Sequence, residues 1–203
     1  MNILIKRALI AAGITTAMVI PMAGQASDGT ITFTGAVTAN TCTISVNGGA
    51  ATATVSLPTV DTVALTGTSP KTTAAGTFFS IAVSGCTNPV LNDFGGSAPT
   101  HVAIYFEAGL YVDQATGGLI NSAASGSNVE VMLYNASGSA VAASTVVGTQ
   151  IMPGTPTHQP TTMAIGTGGT QWFYAGYSTS GAGASGATAG AVSTQITYSL
   201  VYS

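Results

Sequence analysis

The stretch GAVSTQITYSLVYS, residues 190–203, decides the fold class. Four apolar residues alternate there with smaller or polar ones: Ile196, Tyr198, Leu200 and Tyr202. A period of two is typical of a β-strand with one buried face, and aromatic and β-branched side chains favour a strand as well. Chain termini fray unless something holds them. Because the apolar face continues to Tyr202, we expect this strand to pack along its whole length, against a partner that need not lie in the same chain.

Short alternating segments separated by Gly, Ser, Thr and Asn also fill the sequence between residues 30 and 180. No segment after residue 26 has a convincing helical period, so the pattern predicts a single all-β domain, a sandwich or barrel. STVVGTQI at 144–151 is the best strand candidate within the long connections. The residues predicted to share a strand face are, in chain order, Ile31, Phe33, Gly35 and Val37; Cys42, Ile44 and Val46; Phe79, Ile81 and Val83; Val102, Ile104 and Phe106; Val129, Val131 and Leu133; and Trp172 with Tyr174.

The first 26 residues have the pattern of a secretory signal peptide. Lys6 and Arg7 precede an uncharged, mostly apolar run at 8–20, and Pro21 and small residues follow it up to Ala26. A membrane anchor is the alternative, but the apolar run is shorter than the roughly 20 residues that a span needs. We therefore expect an exported chain that begins at Ser27 and has no membrane span.

Charged side chains make up only 4% of the sequence, against about 25% in ordinary soluble domains. After removal of residues 1–26, Lys71 is the single base beside six acids. This charge balance excludes nucleic acid as a partner, since a protein surface that binds nucleic acid needs clustered lysine and arginine side chains. A surface without like-charge repulsion is compatible with stacking against copies of the same protein.

Cys42 and Cys86 are the two cysteines of the chain. In an oxidising compartment an even number of cysteines indicates a disulfide. Neither cysteine has a C-x-x-C partner, which argues against zinc binding or redox catalysis.

Catalytic motifs are missing from the sequence. His101 and His158 lie on a polar strand face and in a Pro-rich loop, without the G-x-S-x-G motif of a serine hydrolase. The carboxylates are scattered singly. We predict that the protein is not an enzyme and that it uses no cofactor and no metal. The single tryptophan, Trp172, is expected in the core.

Several motifs together resemble the chaperone-usher pilins, specifically the major subunits of type 1-like fimbriae. They are GTITFTGAVTANTC at 29–42, VSLPTVDTVAL at 55–65, FFSIAVSGC at 78–86, VEVMLYNASG at 129–138 and GATAGAVSTQITYSLVYS at 186–203. The last is the most specific, because the family's terminal motif has a Gly fourteenth from the end and a penultimate Tyr, which are Gly190 and Tyr202 here.

The resemblance implies an incomplete immunoglobulin-like sandwich that lacks its last strand, which a donor strand from another subunit supplies. The groove and the chaperone-binding strand would then include Gly190, Ile196, Tyr198, Leu200, Tyr202 and Ser203. A periplasmic chaperone would occupy the groove first, and an outer-membrane usher would exchange it for the next subunit's N-terminal strand by β-strand addition. The family's disulfide corresponds to Cys42 and Cys86.

The resemblance also divides the chain into a signal peptide at 1–26, a donor extension at 27–40 and a pilin domain at 41–203. The donor residues would be Ile31, Phe33, Gly35 and Val37, with Gly35 facing a shallow pocket; a β-bulge at Gly35 is the alternative. The implied function is a structural subunit of an adhesive fimbria on the cell surface. Two alternatives stay open: a minor or adaptor pilin at the tip or base, and a secreted carbohydrate-binding β-sandwich, which the single tryptophan disfavours.

Overall fold

The computed structural model describes residues 42–65, 76–86, 99–137, 146–179 and 186–203. The expected signal peptide and the expected donor residues Ile31, Phe33, Gly35 and Val37 lie outside the described residues. Within the described ranges the chain forms strands and two 3-10 turns, Thr62–Leu65 and Pro156–His158. The strands are β1 (Thr43–Val46), β2 (Gly76–Ser84), β3 (His101–Phe106), β4 (Leu119–Ile120), β5 (Glu130–Ser137), β6 (Val146–Ile151), β7 (Met163–Ala164), β8 (Gly169–Ser178) and β9 (Tyr198–Tyr202).

The strands form two antiparallel sheets. The larger sheet has the order β1-β2-β8-β5-β4, and β6 pairs with β5 beside β4. The smaller sheet has the order β7-β3-β9. The predicted all-β sandwich is therefore confirmed, and β6 confirms the strand predicted in STVVGTQI.

The core lies between the two sheets, because each strand is apolar on the face that it turns inward. Phe106 of β3 meets Phe173 of β8 edge to face, with ring centroids 5.3 Å apart. Phe79 of β2 stacks on the same Phe173 at 5.2 Å. Such aromatic pairs add stability beyond the area they bury. The predicted faces of β2, of β3 and of residues 129–133 are confirmed: Phe79, Ile81, Val83, Val102, Ile104, Phe106, Val129, Val131 and Leu133 are all buried.

The prediction for β8 is wrong. Phe173, Ala175 and Tyr177 form its core face, so Trp172 and Tyr174 point away from the core. Tyr174 is fully buried, but in a second cluster on the outer side of the sheet, with Met132 and Tyr134. Trp172 is half-buried and belongs to neither cluster. Because both faces of this strand carry large aromatic residues, its alternation does not show which face is inward.

Candidate functional site

Strand β9 lies at one edge of the smaller sheet. On one side it pairs with β3, with Val102 opposite Tyr202, Ile104 opposite Leu200 and Phe106 opposite Tyr198. On its other side no strand of the described ranges pairs with it. The strand is shorter than predicted, because residues 192–197 lie outside any strand and make isolated backbone hydrogen bonds, such as the one from Ser122 N–H to the carbonyl of Ser193 at 2.8 Å.

The hydrogen bonds to β3 show which backbone groups of β9 are directed outward. His101 and Ser203 exchange two bonds, of 2.8 Å and 3.0 Å, and Glu107 N–H donates to the carbonyl of Thr197 at 2.9 Å. In an antiparallel pair, bonded and non-bonded residues alternate. The residues between these bonded positions, Tyr198, Leu200 and Tyr202, therefore direct their N–H and C=O groups toward the uncovered edge.

The side chains of the same residues face the core without being fully buried. Leu200 and Tyr202 are half-buried, although their β3 neighbours Ile104 and Val102 are each 0% exposed. Ile196 and Tyr198 are also half-buried and pack against the core. Edge strands with unpaired backbone and apolar side chains invite another strand. We call the outer edge of residues 196–202 the acceptor edge.

Strand β1 faces the acceptor edge across the open side of the sandwich. Among the strands of the described ranges, β1 ends the larger sheet as β9 ends the smaller one, and Ile44 of β1 is half-buried. Two tyrosine hydroxyls of β9 reach residues on either side of β1. Tyr198 donates to the carbonyl of Ala51 at 2.6 Å, and the hydroxyl of Tyr202 lies 3.3 Å from Cys42 Sγ. Burial raises the pKa of both tyrosines above the usual value, so both hydroxyls keep their protons at neutral pH.

The predicted disulfide is confirmed. Cys42, just before β1, is bonded to Cys86, just after β2, across a sequence separation of 44 residues. A loop of that length stabilises the fold by about 4 kcal/mol in the chain-entropy model. The bond ties β1 to the central part of the larger sheet, and so it fixes one wall of the open side.

Gly190 is a point of close backbone approach ahead of β9. A Cβ atom placed on it would lie 2.5 Å from Ser127 N and 2.6 Å from the carbonyl carbon of Gly126. The next residue, Ala191, accepts a hydrogen bond from Ser127 N–H at 3.0 Å. Gly190 therefore holds the segment leading into β9 against residues 125–127, and it lies before the acceptor edge.

Asn121 is a positioning residue that sequence reasoning missed. Its Nδ2 donates to the carbonyls of Ser127 and Ala191 at 2.7 Å and 2.8 Å, and its Oδ1 accepts from Ser193 N–H at 2.8 Å. The Asn121 side chain thus replaces a strand neighbour for the residues before β9. The partners are as much as 72 positions away in sequence, and no local pattern indicates them.

The described residues carry no catalytic constellation. His101 and His158 are exposed, and each ring Nδ1 lies near a neighbouring threonine hydroxyl. No group of three His, Cys, Asp or Glu side chains in the described ranges could hold a metal ion. In the same ranges, no helix has the length and apolar character to span a membrane.

The fold and the site together define a class of protein, a disulfide-bonded β-sandwich with an apolar edge that no strand of the described ranges covers, as expected of a fimbrial subunit. The family model of FimA, type-1 fimbrial protein, matches residues 57–203. The chain belongs to this family, and the resemblance seen in its motifs is confirmed. It is a structural fimbrial subunit.

Two relatives agree with this assignment. The chain is 35% identical over 194 residues to the major fimbrial subunit SMF-1 of Stenotrophomonas maltophilia (strain K279a). This alignment covers 90% of this chain and 96% of the relative. It is 38% identical over 114 residues to the F17 fimbrial protein of Escherichia coli, over 56% of this chain and 58% of the relative. Family membership implies assembly with other pilins in a surface fimbrium.

We predict that Gly190→Ala destabilises the protein, because the added methyl group would press on the backbone of residues 126 and 127. Overpacking of this kind costs about 1 to 3 kcal/mol in the free energy of unfolding. Gly109→Ala is the matched control, because nothing lies within 4 Å of a Cβ at that position. Urea denaturation measures the free energy of unfolding of both variants. Equal stability of the two would show that Gly190 does not hold the segment in place.

Proposed function

We propose that the protein polymerises by donor-strand exchange. Residues 30–39 of one copy would add to the acceptor edge of the next and complete its sandwich. The observation that carries the proposal is the acceptor edge itself, where outward backbone groups and half-buried apolar side chains belong to the same residues.

The donor strand offers what this edge lacks. Its main chain would bond to the outward N–H and C=O groups of Tyr198, Leu200 and Tyr202, and each bond contributes about 0.5 to 1.5 kcal/mol. Ile31, Phe33 and Val37 would enter the open side between β1 and β9, and burial of each contributes about 1.5 to 3 kcal/mol. Gly35 would lie where the space is shallow. Together these contributions make a contact that dissociates slowly.

The acceptor edge also explains why the subunit would need a chaperone during export. Before polymerisation the edge would be an aggregation hazard, so a periplasmic chaperone would cover the strand that runs from Gly190 to Ser203, and an outer-membrane usher would exchange it for a donor strand. In this scheme residues 1–26 are the signal peptide, 27–40 the donor extension and 41–203 the pilin domain. The role is structural, with no catalytic step and no cofactor.

We favour the version of this proposal in which the protein is the repeating subunit of the fimbrial shaft. The relative that covers most of the chain is named a major fimbrial subunit, and the match extends over 96% of that protein. A charge fraction of 4% also removes most like-charge repulsion between repeated copies.

Leu200→Ala should weaken the contact between subunits, whereas Val201→Ala should not. Leu200 faces the core beside the acceptor edge, and Val201 faces the opposite way and is 46% exposed. Loss of the Leu200 contacts should accelerate dissociation of filaments in denaturant about tenfold, which corresponds to about 1.4 kcal/mol. Equal dissociation rates for the two variants would contradict the assigned face of β9.

Gly35→Asn should block polymerisation while leaving the acceptor edge intact. The amide would be forced into a shallow, apolar space, with a steric clash and a desolvation cost. Mutant subunits should still bind the chaperone and still accept a strand from wild-type subunits, but should form no filaments alone. Thr34→Asn, on the opposite face of the same strand, is the control and should polymerise normally. Electron microscopy and chaperone co-purification measure the two effects.

Two results would refute the donor assignment. One is the growth of normal filaments from Gly35→Asn subunits. The other is loss of chaperone binding together with unfolding of the mutant, since this would place the strand within its own domain.

A further inference from the structure

Two tyrosine side chains of β9 cross the open side of the sandwich. The hydroxyl of Tyr198 donates to the carbonyl of Ala51 at 2.6 Å, and the hydroxyl of Tyr202 lies 3.3 Å from Cys42 Sγ. Because this sulfur belongs to the disulfide, it carries no hydrogen, and Tyr202 is the donor. Cys42 and Ala51 lie before and after β1 in the chain. The two contacts, which we call the tyrosine bridges, therefore connect β9 with the residues around β1.

The tyrosine bridges are the hydrogen bonds that hold these two walls of the open side together. Among the described residues, no other hydrogen bond connects residues 42–58 with β9, and β1 and β9 belong to different sheets. Leu200 lies between the two tyrosines on the inward face of β9, and its apolar side chain packs against the core. The walls are thus joined by polar contact at the two ends of β9 and not in its middle.

Both tyrosines lie at the margin of the core. A chain of ring contacts runs outward from Phe79 to Phe173 and from Phe173 to Phe106, with centroid distances of 5.2 Å and 5.3 Å. Tyr198 is the last ring of this chain, and its centroid lies 6.3 Å from that of Phe106. Phe106 is 1% exposed, whereas Tyr198 and Tyr202 are half-buried. Rotation of either tyrosine toward solvent would therefore leave the inner rings packed.

A strand added at the acceptor edge needs the space that the bridges cross. Every second side chain of that strand would point into the open side. In an antiparallel pair, residues directly opposite each other have Cβ atoms about 4.5 to 5.5 Å apart, so these side chains would meet Tyr198 and Tyr202 at close range. Protein interiors are close-packed and have no room for two large side chains in one place. An added strand and the tyrosine bridges thus compete for the open side.

We propose that the tyrosine bridges are an autoinhibitory contact, which keeps the acceptor edge closed until a strand displaces both hydroxyls from their partners. The inference rests on the function proposed above, because it requires strand addition at this edge. Opening moves side chains only, so β9 stays paired with β3 and the edge stays ordered. Before assembly, the closed edge delays contacts with other exposed strands.

The two bridges differ in strength. A carbonyl oxygen is a good acceptor, and the distance from the Tyr198 hydroxyl to Ala51 is within the normal range for a hydroxyl donor. Sulfur is a weak acceptor, so the bridge from Tyr202 to Cys42 is the weaker one. A hydrogen bond of ordinary net strength changes an equilibrium or a rate by about two- to tenfold. Loss of the Tyr198 hydroxyl should therefore have the larger effect.

Strand addition to the folded full-length protein tests the inference. The probe is a synthetic peptide with the sequence of residues 29–40 and a fluorescent label, and fluorescence anisotropy follows its addition over time. Tyr198→Phe and Tyr202→Phe each remove one hydroxyl and keep the ring. The peptide should add to Tyr198→Phe about three- to tenfold faster than to the wild type, and to Tyr202→Phe about twofold faster.

Tyr105→Phe is the matched control. Tyr105 is half-buried on the outer face of the smaller sheet, opposite Ser199 of β9, so the loss of its hydroxyl should leave the rate unchanged. Circular dichroism checks that all variants are folded, and urea denaturation measures their free energy of unfolding. A purely structural role of the Tyr198 hydroxyl would lower that free energy without accelerating addition of the peptide.

The outcomes separate this inference from the proposed function. If the peptide adds to Tyr198→Phe at the wild-type rate or more slowly, or if Tyr105→Phe accelerates addition equally, the bridges do not keep the edge closed. The inference is then wrong, while strand addition itself stands. If the peptide adds to none of these proteins, no strand enters at the acceptor edge, and both the proposed function and the inference are wrong.

Discussion

The alternation of β9 is the constraint on which the other features depend. In an antiparallel ladder every second residue bonds to the neighbouring strand, and among the strands of the described ranges β3 alone pairs with β9. The intervening residues, Tyr198, Leu200 and Tyr202, combine outward backbone groups with side chains that turn toward the core. A strand placed at this edge would gain a full ladder and an apolar face at the same time.

The rest of the sandwich holds that edge in position. The disulfide fixes the start of β1, and Asn121 and Gly190 fix the segment before β9. The hydroxyls of Tyr198 and Tyr202 connect β9 to the residues on either side of β1. An edge that is already ordered loses little conformational entropy when a strand is added, and pre-organisation of this kind strengthens association.

Most of the fold could be predicted from the sequence, because β2, β3 and β5 carry alternating apolar residues on their inward faces, although Met132 and Tyr134 make the outer face of β5 apolar as well. Strand β8 was the exception, since Trp172 and Phe173 are both large and apolar and only contacts with Phe79 and Phe106 decide between them. A terminal strand with Tyr198, Leu200 and Tyr202 on one face was predicted, but the role of Asn121 was not, because its partners are distant in sequence.

Cross-linking between isotopically distinct subunits tests the central claim most directly. Filaments are grown from an equal mixture of light and heavy labelled subunits that carry a photoreactive residue at position 33, and cross-linked peptides are identified by mass spectrometry. The account predicts links from position 33 to the peptide containing Leu200, with mixed-label pairs as frequent as same-label pairs. Links confined to same-label pairs would show that the N-terminal strand completes its own domain, and would contradict the account.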